Sequence, residues 1–277
     1  MTKALNLLLP VLLLTAITAT VPTTVAADEI AKLTAAANGH HRSAKNIARN
    51  EFRHPVETLA WFGIKDNMTV VEVSPGGGGW YTEILAPYLR DNGKLYVASY
   101  DSTAKRAYLR INHKKYLDKL AAMPGIYNRV TVTEFGPPKK SELQPEGQAD
   151  MVVTFRNVHG WLNADNAEQV FAAIYKVLKP GGILGLVTHR GEPGMTGKKW
   201  SKKGYTPEKV VINLAEDAGF ELVAKTEINA NPKDSKDYPE GVWTLPPAYR
   251  LGEQDRDKYS AIGESDRMTM KFVKFAR

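Results

Sequence analysis

Short runs of apolar, β-branched residues alternate along the chain with longer stretches whose apolar residues recur every three to four positions. Runs of the first kind read as buried strands, and stretches of the second kind as amphipathic helices. Thr69–Val73 is the first such strand, and Ile84, Leu85, Tyr88 and Leu89 share one face of the helix after it. Lys94–Tyr100 is the second strand, followed by a charged helix with Leu109, Tyr116 and Leu120 on one face. Further strands are expected at Val130–Phe135 and at residues 150–155, 183–188, 220–228 and 268–275. The strongest helical period is Ala167, Val170, Phe171, Ile174, Val177 and Leu178, which Lys179-Pro180-Gly181-Gly182 stops. Another helix is expected over residues 206–218, with Gly219 as its C-cap. Strand and helix in alternation predict an α/β fold, a doubly wound, seven-stranded, mostly parallel sheet with helices on both faces.

Two stretches fall outside this alternation. Residues 28–66 read as an N-terminal helical cap, with Asp28 capping its first helix, Pro55 opening another and Gly63 closing it. Residues 229–267 show no period and are far longer than an ordinary connection, so a lid-like loop is expected before the last strand. The main domain then spans residues 67–277.

Residues 1–27 change the expected compartment. Lys3 precedes an apolar run at residues 7–16, and Val25-Ala26-Ala27 stands before Asp28, the pattern of a cleaved signal peptide. The apolar run is short for a bilayer span, and no later run is long enough, so no membrane span is expected after signal removal. A periplasmic or secreted protein is the expectation. The chain has no cysteine, so it forms no disulfide in a compartment that would permit one.

At 43% hydrophobic and 24% charged residues the composition is that of an ordinary globular protein. The net charge of +7 is spread along the chain and reads as a solvated basic surface, with no nucleic-acid partner expected. Lys198, Lys199, Lys202 and Lys203 surround Trp200; they read as a solvated loop, or as an attractor for an anionic acceptor or a membrane surface. His40 and His41 lack a histidine or acidic partner at i+4, so a solvated pair is expected and no metal.

The chemistry concentrates after the first strand. Glu72 lies near its end, and Pro75 leads into four glycines at residues 76–79. Four residues without Cβ let backbone N–H groups approach a ligand closely, and the carboxylate beside them can accept hydrogen bonds from it. The dinucleotide pattern G-x-G-x-x-G fails here, because Tyr81 and Thr82 occupy the sixth positions counted from Gly76 and Gly77, which weakens a nicotinamide oxidoreductase. No P-loop is present either.

The stretch resembles the nucleoside-binding loop of class I S-adenosylmethionine (SAM) methyltransferases, hh-(D/E)-h-G-x-G-x-G. Glu72 stands as the acid, Gly76 and Gly78 as the second and third glycines, and Ser74 replaces the first. Leu178-Lys179-Pro180-Gly181-Gly182 resembles their L-K-P-G-G turn, and Glu216-Asp217-Ala218-Gly219-Phe220 their E-x-A-G-F turn. Over its full length the chain is similar to predicted exported bacterial methyltransferases, a resemblance that supplies a Rossmann-like fold and a cofactor class but no reaction.

The resemblance implies SAM as cofactor, with residues 76–79 against its methionine part. Asp101, directly after the second strand, would take the ribose hydroxyls, and Glu134 would lie near the adenine. Tyr81 would start the first helix beside the donor. Arg156-Asn157-Val158-His159 follows the fourth strand and would face the methyl group. His159 is the candidate base, Asn157 would orient the acceptor or the donor's amino group, and Arg156 could hold an acidic substrate. His189, just after the fifth strand, points toward the same face. The acceptor would be a small molecule or an envelope component. The alternative is an exported protein that binds a ligand or partner on this fold without catalysis.

Overall fold

The computed structural model describes residues 23–275, with side chains from Ala27 onward. The basic start and apolar run of the expected signal peptide lie outside the described residues. The cap comprises α1 (Thr23–Ala37), α2 (Ala44–Ile47), α3 (Asn50–Arg53) and α4 (Pro55–Phe62). Asp28 lies inside α1 rather than at its cap, because the helix already runs through the residues before it. Pro55 opens α4, where its missing N–H costs nothing, and Gly63 at φ 86° closes it.

The remaining chain runs β1 (Thr69–Val73), α5 (Thr82–Leu89), β2 (Lys94–Tyr100), α6 (Ala107–Ala122), α7 (Pro124–Tyr127), β3 (Val130–Phe135) and β4 (Ala149–Phe155). It continues α8 (Val158–Asn163), α9 (Ala167–Val177), β5 (Leu178–Gly191), α10 (Lys198–Ser201), β6 (Thr206–Pro207), α11 (Glu208–Asp217), β7 (Glu221–Thr226), α12 (Arg256–Ile262) and β8 (Arg267–Val273). The main sheet has the order β3-β2-β1-β4-β5-β8-β7. Its first five strands are parallel, and β8 runs antiparallel to both of its neighbours. The two-residue β6 pairs with β5 off this path and makes eight strands where seven were expected. The fold is the expected Rossmann-like α/β architecture.

Alternation along the buried strands sorts side chains to the two faces. Val71, Val152, Leu184 and Leu186 join Phe171, Ile174 and Val211 of α9 and α11 in one core. Val70, Met151 and Val153 join Leu59, Phe62, Ile84, Leu85 and Tyr116 of α4, α5 and α6 in the other. Glu72 shares the face of Val70, so it lies under α5. β5 starts at Leu178, earlier than expected, because the edge of β8 pairs with the Pro-Gly-Gly segment: Gly181 N–H donates to Lys274 O at 2.6 Å and Lys274 N–H to Gly182 O at 3.0 Å.

Residues 229–267 form a packed segment with a small core of Tyr238, Leu245 and Tyr259. Asn229 Nδ2 ties this segment to the cap and to β8, donating to Thr58 Oγ1 and Thr269 Oγ1 at 2.9 Å each. Strand order reverses between β1 and β4, so the ligand crevice of such a sheet lies beyond the carboxyl ends of those two strands.

The cap lies on the sheet through a glycine. A Cβ at Gly185 on β5 would stand 2.5 Å from Cδ2 and 2.7 Å from Cγ of Phe62. Gly185→Ala is therefore expected to destabilise the chain by about 1–3 kcal/mol through overpacking. Denaturant unfolding measures this, and an unchanged midpoint would show that the cap yields without cost.

Candidate functional site

The glycine bend is held from three sides. Ser74 adopts φ 56°, a left-handed conformation that costs a residue with a Cβ about 1–2 kcal/mol. Its N–H donates to Ala98 O at 2.9 Å. Asn157, after β4, donates Nδ2 to Val73 O and Ser74 O at 3.1 Å and to Thr154 Oγ1 at 3.0 Å. Its amide is thereby committed to fixing the end of β1, a role that spacing alone did not suggest. On the third side α6 approaches closely. A Cβ at Gly77 would meet Asn112 Oδ1 at 2.6 Å, and one at Gly79 would meet Tyr116 at 2.8 Å.

Gly76 and Gly78 differ from that pair. A Cβ at either would meet nothing within 4 Å. Gly76 has φ +70°, which itself favours glycine, whereas Gly78 has no positive φ and is exposed. Nothing in the packing of the described residues requires a glycine at 78.

The three acids occupy different surroundings. Glu72 is 2% exposed and accepts a hydrogen bond from Thr82 Oγ1 at 2.5 Å. Burial pushes its carboxyl up to about 7. Asp101 Oδ1 accepts from Thr103 N–H at 2.9 Å and Thr103 Oγ1 at 2.8 Å, and Lys140 Nζ lies 2.9 Å away. Burial alone would raise Asp101, but its hydrogen bonds from Lys140 and Thr103 bring it down to about 2. Glu134 accepts from Ser102 N–H at 2.8 Å and also pairs with Lys140. The structure thus brings Asp101 and Glu134 together around Lys140, and leaves Glu72 apart from them, buried against Thr82 of α5. Asp101 Oδ2 makes no hydrogen bond among the described residues.

Tyr81 sits in the core. Its ring stacks on Phe155 at 3.4 Å between centroids, and its hydroxyl donates to Arg53 O at 3.3 Å. Trp80 is also buried, with Arg42 Cζ and Arg53 Cζ each 4.7 Å from its ring centroid.

Beyond β4 and β5 lies a cationic mouth. Arg156 has φ 64°, and its N–H donates to Val187 O at 2.6 Å. His159 lies 5.7 Å from His189 and 5.6 Å from Trp243, ring centre to ring centre. Burial, then the Arg156 charge, pushes the His159 imidazole down to about 4, so it is neutral at pH 7. His189 is also pushed well below the usual histidine range, first by burial and then by His159, and its Nδ1 lies 2.6 Å from Ser265 Oγ. Trp243 and Ser265 come from the long loop, which therefore reaches the strand tips.

Sequence reasoning found Arg156 and missed the other three arginines of this mouth. Arg49 and Arg53 of the cap and Arg267 of β8 all donate to Glu264, at 2.7, 3.1 and 3.2 Å. The run R-N-E-F-R places Arg49 and Arg53 one helical turn apart, the one signal that could have found them. His41 also proves structural: its Nε2 lies 2.6 Å from Glu83 O, while His40 is exposed. The lysine-rich loop is partly committed too, with Lys203 donating to Tyr238 O and Lys199 Nζ 5.1 Å from the Trp200 ring. A cleft of about 240 Å³ beside that loop, lined by Leu162, Met195, Tyr205 and Val210, lies apart from the glycine bend. No described helix is long and apolar enough to cross a membrane, and no cluster of three or more His, Cys, Asp or Glu among the described residues could hold a metal ion.

No protein-family model matches the chain, and no curated protein matches it by sequence. Solved structures do. The chain is similar to a SAM-dependent methyltransferase from Aquifex aeolicus, with TM-score 0.53 and 16% identity over 88% of this chain and 98% of that one. It is similar to the cyclase SpnF, with TM-score 0.56 and 16% identity over 90% and 94% of the two chains. It is also similar to phosphoethanolamine N-methyltransferase 2 of Haemonchus contortus, solved with SAM, with TM-score 0.55 and 14% identity over 89% of this chain and 57% of that one. At such identities the likeness shows the fold, and these neighbours are named for different reactions.

Glu72 yields a pH prediction. Its folded value, about 7, lies above the ordinary 4.5, so between those values the folded chain keeps a proton that the unfolded chain has lost. That stabilisation is present below the unfolded value and is lost as pH rises through the folded one. Glu72→Gln keeps an acceptor for Thr82 and cannot ionise. Its stability relative to wild type should grow by roughly 2–3 kcal/mol between about pH 5 and about pH 8. Urea melts at the two pH values check this; a constant difference would mean that Glu72 is ionised in the fold.

Proposed function

We propose that the protein binds SAM at the glycine bend and transfers its methyl group to a small-molecule or envelope acceptor outside the cytoplasm. The observation that carries this reading is Gly78, which the chain's own packing does not require and which leaves open space beside the bend. Residues 76–79 would lie along the methionine part of the donor, and the free Oδ2 of Asp101 would accept from its ribose hydroxyls. SAM supplies a methyl group on a positively charged sulfur, already activated toward a nucleophile. What remains for the chain is in-line placement and exclusion of water.

Asn157 serves this placement indirectly, as a positioning residue that clamps the carbonyls of Val73 and Ser74. His159 is the candidate proton acceptor. Its neutral imidazole has a buried Nδ1 without a hydrogen-bond partner among the described residues. A value near 4 makes it a weak base until an anion beside Arg156 offsets the charge that helps depress it. Export is part of the proposal: the mature chain would begin at Asp28 and act in the periplasm or outside the cell.

A second reading has one observation behind it. Lys140 already bridges Asp101 and Glu134, the acids expected to hold the nucleoside. An exported binding protein on a methyltransferase fold, without catalysis, would tolerate that bridge. Mass spectrometry of ligand carried through purification separates the two: SAM or its demethylated product supports the enzyme, and an unrelated compound supports the binder.

Calorimetry tests the proposal directly. Wild type should bind SAM, and Gly78→Val should weaken it at least tenfold with an unchanged melting midpoint, since a Cβ there meets nothing. Asp101→Asn should also weaken SAM, by about ten- to a hundredfold, the worth of a charged hydrogen bond. No heat from wild type at millimolar SAM would remove the proposal.

A further inference from the structure

Four arginines gather where the cap, the tip of β4 and the start of β8 meet. Arg49, Arg53 and Arg267 share one carboxylate, Glu264, which is 4% exposed. Arg156 stands close enough for its charge to act on both Arg53 and Glu264. Its neighbour Phe155 stacks on Tyr81, and the Tyr81 hydroxyl donates to Arg53 O. Four cations against one anion leave +3 in a largely buried space.

The hydrogen bonds within the cluster are also incomplete. Arg53 is 1% exposed, yet both of its terminal nitrogens, Nη1 and Nη2, are buried without a hydrogen-bond partner among the described residues. The Trp80 ring, 4.7 Å from Arg53 Cζ, offers a π face, a weak substitute for an oxygen. The guanidinium of half-buried Arg156 forms no hydrogen bond or ion pair among the described residues. His159 Nδ1, on the next helix, is likewise buried without a partner. Leaving guanidinium donors buried and unmade is among the costlier things a fold can do. Arg156 and the strand tips give the cluster its side toward the glycine bend, because Asn157, the next residue, bonds the Ser74 carbonyl.

We propose that this cluster is an oxyanion site, and that the molecule methylated carries a carboxylate or phosphate group which Arg156 and Arg53 grip. The planar fork of arginine matches such groups with paired N–H donors, and a negative charge would offset the surplus. The cap and the long loop then acquire a common purpose: the cap delivers Arg53 to the grip, and the loop delivers Glu264, which holds Arg53 in place. Glu264 keeps three of the four arginines in place without neutralising them. That the anion belongs to a methyl acceptor rests on the proposed function; that the site takes an anion does not.

The test is thermal unfolding of the full chain with increasing sodium phosphate, and separately sodium acetate, at ionic strength held constant with sodium chloride. The wild-type midpoint should rise and saturate with at least one of the two, and which one tells phosphate from carboxylate. Arg156→Gln should weaken that anion at least tenfold while melting no lower than wild type in buffer alone, since its guanidinium bonds nothing among the described residues. A wild-type midpoint indifferent to both anions, or an Arg156→Gln response equal to wild type, would overturn the site. SAM calorimetry on the same samples separates the claims. Anion binding without SAM binding leaves the oxyanion site standing and removes the acceptor reading; SAM binding without anion binding removes this inference alone.

Discussion

A single buried carboxylate, Glu264, joins parts of the chain that lie far apart in sequence. Arg49 and Arg53 come from the cap, Arg267 from the first residue of β8, and Glu264 itself from the end of the long loop. Burial would raise its carboxyl, but Arg53, Arg267, Arg49 and Arg156 together hold it down at about 2. It is therefore ionised at any ordinary pH, and the contact is electrostatic throughout. Removing one partner of such a buried group strands the others, so cap, loop and strand tips are bound to keep their mutual positions.

This junction lies beside the bend after β1, and the two features divide the mouth of the sheet. On one side, the glycines have separate physical duties. Gly77 and Gly79 admit α6, Gly76 makes the turn, and Gly78 leaves room. On the other side stand fixed positive charges and a neutral histidine. A positively charged sulfur and an anionic acceptor are complementary ligands for such a divided mouth, and the chain's own cations favour the acceptor's half.

Strand and helix positions in the doubly wound part were legible because buried parallel strands leave nearly continuous β-branched runs, and α9 presents its apolar face at regular spacing. Punctuation misled at Pro180-Gly181-Gly182, where pairing with β8 carries the sheet through residues that usually stop it. The glycine bend and its acids were also visible, but their partners were not. Lys140 lies in a loop, and nothing local marks it as the bridge between Asp101 and Glu134. Tyr81 looked like a residue facing the donor; its ring turns inward to Phe155 because the helix start it occupies faces the core. Apart from Arg156, the arginine cluster escaped because its members are separated by more than two hundred residues and meet only through tertiary packing. The loop expected as a lid is folded onto the mouth, fixed by Asn229 and Glu264 rather than by any repeating pattern.

In the proposed reaction the donor lies along the bend with its sulfur toward Arg156 and His159. A crystal structure grown with S-adenosylhomocysteine, the demethylated product, tests this most directly. Density for the amino-acid part against residues 76–79, the ribose on Asp101 and the sulfur facing the arginine mouth is the predicted result. A well-diffracting crystal with that bend empty at saturating ligand, or with the ligand seated elsewhere, would contradict it.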